Sequence, residues 1–504
     1  MLDRRYLKSI WLILLIFALL RLFAMYFVPL ADPSEARYAA ICQNMALKNN
    51  FVEPQFVHQG VYQTFSGKPP LHFQLGGLST LIFGDANNFA PRFPAFFCTL
   101  LMLGFIYYAV KKLRNPESAL AAVTLTLCSS FFAVFAGLSL TDMTLALWVI
   151  SSMLSYMLFA AEPEIKIKKL WSILFFACMG LGVLTKGPVA LIFAGFPLFL
   201  WTLFNKRWKD LKYHAWVTGG AAFLLIVIPW FYLMQQRDPG FMEYFFINEN
   251  FKRFTVKDYG DRFGSGRDFF YGMSIVWFIV VNLPILFLLA FPILNREKRR
   301  QLVTKATLSE PLCGIAAFGV LGIVFFWTLT YRIPIYYLLP TVPCFAIYLA
   351  CKLNDLGYLS PEKLNKFPVR TLISLVLFGT IGVLLAMGII APRSGDKHNQ
   401  PMFDKIKKIQ QADAKLQNIK YYFGRRTPYS AEFFLKQNVI NHNKEDINHS
   451  VAVSGEAIFF LPTREMEDLK LPINRVKLYE NNGWIVFAPD GYTNKSAATE
   501  NGSI

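Results

Sequence analysis

The stretch Arg4-Arg-Tyr-Leu-Lys8-Ser9-Ile-Trp-Leu-Ile-Leu-Leu-Ile-Phe-Ala-Leu-Leu-Arg21-Leu-Phe-Ala-Met-Tyr-Phe-Val28 decides the architecture. From Ser9 to Val28 only Arg21 interrupts an apolar run. As a helix, a run of this length crosses a hydrocarbon core about 30 Å thick. It is too long for a signal-peptide core and lacks a small-residue cleavage site, so it is expected to stay as a first membrane span. Arg4, Arg5 and Lys8 precede it and put the N-terminus in the cytoplasm.

The same pattern recurs along the chain. Apolar runs follow at 92–110, 117–136, 138–160, 170–184, 187–204, 214–235, 270–292, 310–330, 334–351 and 371–391. This predicts a mainly α, polytopic membrane protein with about 11–13 transmembrane helices. The basic clusters at Lys111–Arg114, Lys166–Lys169, Lys206–Lys212, Arg296–Lys305 and Lys352–Arg370 then all fall on the cytoplasmic side. Pro69–Gly84 is apolar but short, and reads as an interfacial helix.

Composition agrees. Of 504 residues, 54% are hydrophobic and only 17% charged, with mean hydropathy +0.37, whereas a soluble domain is nearer a quarter charged. That excludes an ordinary soluble enzyme and a disordered chain. The net charge of +18 belongs to the cytoplasmic loops rather than to nucleic-acid binding. The seven cysteines lie mostly inside apolar runs and imply no disulfide framework. The expected domains are a transmembrane core over 1–391 and a small soluble α/β domain over 392–504. The core includes periplasmic loops at 29–90 and 236–269. In the tail, Phe403, Ile406 and Ile409 have helical spacing, Val451–Val453 and Glu456–Leu461 read as strands, and Tyr479-Glu-Asn-Asn-Gly-Trp484 reads as a hairpin.

Chemistry is expected where an apolar protein spends ionisable groups away from the cytoplasmic side. Asp32, Glu35, Arg37, Tyr38 and Lys68 fall in the first loop. Asp142 and Lys186 fall at tight turns between spans, where a charge near hydrocarbon costs up to about 3 kcal/mol unless compensated. Arg253 and Arg267 fall in the middle loop; Arg332 and Tyr336 precede the tenth span. All lie on one predicted face, outside the reach of the positive-inside rule. Several cations suit a phosphate. A carboxylate suits a base that takes a proton from a hydroxyl. Aromatics suit a sugar face and a polyprenyl chain. The expected substrate is a lipid-phosphate-linked one. Taken singly, Lys186 and Arg332 could snorkel to headgroups, Asp32 and Glu35 could cap a loop helix, and Asp142 could cap its span; their common side is what points to a site. No Walker loop, Cys-x-x-Cys or His-Glu-x-x-His occurs, and carboxylate-based binding of a divalent metal stays open.

The ordered set Glu35-Ala-Arg37-Tyr38-Ala, Gly67-Lys68-Pro-Pro-Leu, Thr141-Asp142-Met, Thr185-Lys186-Gly-Pro, Glu249-Asn-Phe-Lys-Arg253-Phe and Arg332 through Pro340 resembles the bacterial protein O-mannosyltransferase-like family of membrane glycosyltransferases. Within it the chain looks like the lipid A 4-amino-4-deoxy-L-arabinose transferases. The resemblance implies a GT-C fold with a periplasmic C-terminal domain, an undecaprenyl-phosphate-sugar donor and transfer with inversion to lipid A or another periplasmic acceptor. It further implies that Lys68, Arg253, Arg267 and Tyr336 meet the donor phosphate, that Asp32, Glu35 and Asp142 are catalytic, and that Arg37, Tyr38, Lys186 and Arg332 bind substrate. The chain departs from the family pattern at Ser34, at Phe65-Ser-Gly67, where a tyrosine contact is lost, and at Asn250. A protein O-glycosyltransferase, or a transporter or flippase of a lipid-linked sugar, is the alternative reading. The expected location is the bacterial inner membrane.

Overall fold

A computed structural model describes residues 4–58, 61–85, 87–252, 255–256, 273–329, 334–359, 398–424, 427–435, 439–441, 455–463, 475–481 and 483–492. The chain divides into two compact units: Met1–Met25 with Ser66–Leu75 and Arg92–Leu385, and Tyr26–Phe65 with Gly76–Pro91 and Ala386–Ile504.

The first unit is helical. Its elements are α1 (Arg4–Phe27), α4 (Phe93–Leu113), α5 (Pro116–Cys128), α6 (Ser130–Phe135), α7 (Thr141–Ala161), α8 (Ile165–Lys186), α9 (Val189–Phe204) and α10 (Trp216–Arg237). The helices Met273–Leu294, Pro311–Thr328 and Thr341–Asp355 follow. Among the described residues, six helices are long and apolar enough to cross a membrane, with shorter apolar helices beside them. The expected span at 371–391 lies outside the described residues. The expected third span is broken. At Ser129 the backbone is extended, the hydroxyl accepts from Phe132 N–H at 3.2 Å and donates to the Val281 carbonyl at 2.7 Å, so α5 and α6 are separate helices.

α7 forms the centre of this unit. Its apolar stretch is 94% buried inside the protein, against 22% for α10. Small residues permit this, because neighbouring helices approach closely where side chains are short. The hydroxyls of Ser152 and Ser155 donate to the carbonyls of Trp148 and Ser151, one turn back, and so bury no unmade hydrogen bond.

The second unit contains α2 (Ser34–Leu47), the antiparallel hairpin β1 (Gln55–His58) and β2 (Val61–Thr64), and a five-stranded sheet from the tail. That sheet has the order β4-β3-β5-β7-β6, with β3 Tyr421–Phe423, β4 Val439–Asn441, β5 Ile458–Pro462, β6 Lys477–Glu480 and β7 Trp484–Phe487. β3 pairs parallel with β4 and β5, while β7 pairs antiparallel with β5 and β6. The expected tail helix is Gln400–Ala412, burying Met402, Phe403 and Ile406. The expected hairpin is β6–β7, where the Asn481 side chain accepts from the N–H groups of Gly483 and Trp484. Of the two expected tail strands, the later is β5; Val451–Val453 lies outside the described residues. Leu30, Ala36, Ala39 and Ala40 share one apolar core with Phe403, Phe423, Phe434, Phe460 and Trp484, so the first loop and the tail form one folded body. α3 (Leu71–Phe83) occupies the segment expected as an interfacial helix.

Candidate active site

α7 and α8 are 21 and 22 residues long and joined by three residues. As antiparallel neighbours of equal length, they bring the start of α7 beside the end of α8. Asp142 stands in the first turn of α7 and Lys186 in the last turn of α8, so each charge complements its helix dipole. The two close a direct ion pair, with side chains 5% and 7% exposed. The Lys186 ammonium also lies 3.9 Å from the centroid of the Tyr337 ring and 5.7 Å from that of Tyr336. Tyr337 packs on Trp327 at 4.8 Å between ring centroids, and Trp327 meets Phe193 at 5.6 Å. Gly187 ends α8 with φ +82°, a left-handed conformation that glycine adopts without strain.

Lys68 stands just before Pro69-Pro70 and α3. Its Nζ donates to the Gly67 carbonyl at 2.6 Å and lies 3.5 Å from Glu249 Oε2. Glu249 arrives on Tyr244–Lys252, a π-helix that continues the short turn Phe241–Glu243. Such geometry is rare and concentrates at functional sites. Tyr244 donates its hydroxyl to Glu249 Oε1 at 3.2 Å. Lys68, Lys186, Glu249, Asn250, Phe193, Trp327 and Tyr337 line one cavity of about 330 Å³, open mouth included. It offers cations held near carboxylates against an aromatic wall.

The remaining first-loop residues lie together in the second unit. Asp32 Oδ1 accepts from the Ser430 backbone N–H at 3.1 Å, while Oδ2 accepts from the Ser430 hydroxyl and from Asn399 Nδ2, the latter at 3.0 Å. Burial outweighs these bonds and pushes the carboxyl up to about 6. Glu35 Oε2 accepts from the Ala31 N–H at 3.0 Å, folding back over the start of α2. The Arg37 guanidinium lies 5.1–5.6 Å from the ring centroids of Tyr38, Phe65 and Tyr429. Arg253, Arg267 and Arg332 lie outside the described residues.

Thus Lys68, Asp142, Lys186 and Tyr336 fall within one unit, and Asp32, Glu35, Arg37 and Tyr38 within the other. Sequence reasoning quoted Glu249 but gave it no role. An acid two residues beyond the aromatic run Tyr244-Phe-Phe-Ile was the signal. Tyr337, the ring nearest Lys186, and Trp327 carried no signal beyond aromaticity. Among the described residues, no group of three or more His, Cys, Asp and Glu is arranged to hold a metal ion.

Comparison with known proteins agrees with this fold. Residues 8–245 match the family model described as dolichyl-phosphate-mannose-protein mannosyltransferase. The chain is 29% identical over 410 residues to the undecaprenyl phosphate-alpha-4-amino-4-deoxy-L-arabinose arabinosyl transferase of Enterobacter sp. strain 638, covering 79% of this chain and 68% of that protein. It is 27% identical over 392 residues to the protein of the same name from Erwinia tasmaniensis, covering 77% and 66%. The chain therefore spans about two thirds of the length of these relatives. ArnT from Cupriavidus metallidurans, solved bound to undecaprenyl phosphate, superposes with a TM-score of 0.74 at 17% identity, over 95% of this chain and 98% of that one. The Archaeoglobus fulgidus oligosaccharyltransferase superposes at 0.51 and 12% identity, over 91% and 70%.

The chain is a membrane glycosyltransferase with the GT-C fold. Over residues 8–245 it is similar to the protein mannosyltransferase family model, and over most of its length to proteins named for transfer of 4-amino-4-deoxy-L-arabinose.

Proposed function

We propose that this protein moves an amino sugar of the 4-amino-4-deoxy-L-arabinose type from an undecaprenyl-phosphate donor to lipid A, at the periplasmic face of the bacterial inner membrane. The N-terminus is then cytoplasmic and the C-terminal domain periplasmic. The observation that carries this reading is the cavity in which Lys68 and Lys186 line an aromatic wall. A phosphate suits the Lys68 ammonium, and the rings suit a sugar face and a polyprenyl chain.

In this reading the acceptor oxygen attacks the anomeric carbon from the side opposite the phosphate, which gives inversion. The bond from that carbon to the phosphate oxygen breaks, and its electron pair leaves on the phosphate. Lys68, with Arg253, Arg267 and Tyr336, meets the developing charge; such stabilisation is commonly the largest catalytic contribution. Arg37, Tyr38, Lys186 and Arg332 hold the substrates. A phosphate acceptor attacks as an anion and releases no proton. A hydroxyl acceptor, on protein or glycan, gives its proton to Asp32 or Glu35. Asp32, raised to about 6, combines useful basicity with ionisation at neutral pH. Asp142 pairs with Lys186 and holds it at the cavity.

Mass spectrometry of lipid A and surface glycans from a deletion strain tests this. Loss of the amino-sugar adduct on lipid A, restored by the gene, is the expected result. Unchanged lipid A with a lost protein glycan would reject the acceptor. Unchanged lipid A and glycans, with flipping of a lipid-linked sugar by the purified protein in vesicles, would reject the enzyme.

A further inference from the structure

His72 stands in the first turn of α3, just past Lys68-Pro69-Pro70. Its Nδ1 lies 3.0 Å from the hydroxyl of Thr144, which stands in the first turn of α7 beside Asp142. Both side chains are fully buried. The Cys98 thiol of α4 donates weakly to the Thr144 oxygen at 3.9 Å, so the threonine's own hydrogen is left for His72 Nδ1. The ring then carries its proton on Nε2, which meets no partner among the described residues. Apolar side chains of the same shape would fill this space without leaving a buried nitrogen unpaired, so packing alone gives the pair no advantage. What a hydrogen bond adds is direction, since it holds two atoms to one distance and angle.

The geometry points to His72 and Thr144 as positioning residues that act through Lys68. Their bond fixes the start of α3 against the start of α7, and so sets where the Lys68 ammonium stands relative to the Asp142–Lys186 pair. The link between His72 and Lys68 is stiff. Pro69 and Pro70 are buried, each proline fixes its own φ, and the residue before a proline is held extended. A shift of His72 is therefore passed on to Lys68. At the other end, Leu145 follows Thr144 and lines the same cavity as Lys68 and Lys186. The inference rests on the role of Lys68 at the donor phosphate proposed above. A group that meets developing charge must stand in place beforehand, and a misplacement of about 1 Å can cost about 100-fold in rate.

The test measures transfer by the full chain in lipid nanodiscs, with kcat taken per folded protein. Thr144→Val removes the hydroxyl at nearly constant shape and should lower kcat about 10- to 100-fold. Thr144→Ser should restore most of that. His72→Leu should lose as much as Thr144→Val, and His72→Asn, whose carboxamide oxygen can take the place of Nδ1, should recover most. The decisive comparison puts Thr144→Val into a Lys68→Ala background. There it should change the residual transfer less than about 2-fold, because the group it positions is gone. A hydroxyl that only supports the fold would cost the same in both backgrounds. Nitrogen NMR of the histidine-labelled native protein depends on no variant folding, and should show His72 hydrogen-bonded at Nδ1. Near-native kcat in a folded Thr144→Val overturns the inference. So do equal losses with and without Lys68, absence of rescue by both conservative variants, or an Nδ1 without a hydrogen bond. In each case native transfer would remain and the proposed function would stand. Native turnover in Lys68→Ala would instead remove the reading on which the inference rests.

Discussion

Asp142 and Lys186 pair across the junction where one helix begins and its antiparallel neighbour ends, and both side chains are buried there. Removing one partner strands the other charge. Lys186→Met or Asp142→Leu should each cost about 3–5 kcal/mol. The double replacement should recover most of that stability without recovering transfer. Thermal melting of detergent-solubilised protein, read beside a transfer assay, checks this. Additive losses in the double variant would show that the two residues do not act as a pair.

Lys68 lines the cavity beside Glu249. Lys68→Ala should lower kcat by roughly 10²–10³-fold, as expected for loss of one preorganised group facing transition-state charge. Expression should persist, with some loss of melting temperature because the buried Glu249 loses this partner. Near-native turnover in this variant would remove Lys68 from the reaction.

Gly187 joins the two halves of the cavity. A Cβ there would lie 2.6 Å from the Phe245 ring, on the segment that carries Glu249, and φ is +82°. Gly187→Ala should therefore cost about 1–3 kcal/mol in backbone strain, with Phe245 forced to move as well. Transfer should fall at least several-fold. A variant with native transfer and native melting temperature would show that the turn tolerates a side chain.

Two buried carboxylates make the second unit sensitive to pH. Asp32 is raised from 3.8 to about 6 and Glu432 from 4.5 to about 7, chiefly by burial. Between roughly pH 4 and 7 the folded unit keeps protons that the unfolded chain releases. Stability is therefore greatest in mild acid and is lost as pH rises through the folded values. Glu432→Gln preserves an oxygen to accept from Asn44 Nδ2 and the Val57 N–H, and should flatten this dependence. Melting curves or limited proteolysis of the tail from pH 4.5 to 8 supply the measurement. An equal slope in native and variant protein would exclude Glu432 as the source.

Much of this was legible in the sequence, for identifiable reasons. Apolar runs fix helices because length and hydropathy alone decide whether a segment can cross a bilayer. The tail helix and the hairpin at Asn481 followed from periodicity and turn chemistry. Asp142 and Lys186 stood out because a charge beside hydrocarbon demands a partner. The break at Ser129 escaped notice, since it depends on a carbonyl at Val281, far along the chain. The place of Glu249 in the cavity escaped for the same reason: it lies beside Lys68, and no local pattern links the two. Asp32 read as a reactive group, while its bonds to Ser430 and Asn399 could be learned only from the folded tail.

Those bonds, with the grip of Asn44 on Glu432, bear on how the protein is made. The first loop leaves the ribosome early, and the residues that complete its core leave among the last. A loop waiting so long for its partners completes its core only after the helices between the two segments have been made, since distant contacts form late. Synthesis itself thereby delays the assembly of this body until Asn399, Ser430 and Glu432 have arrived.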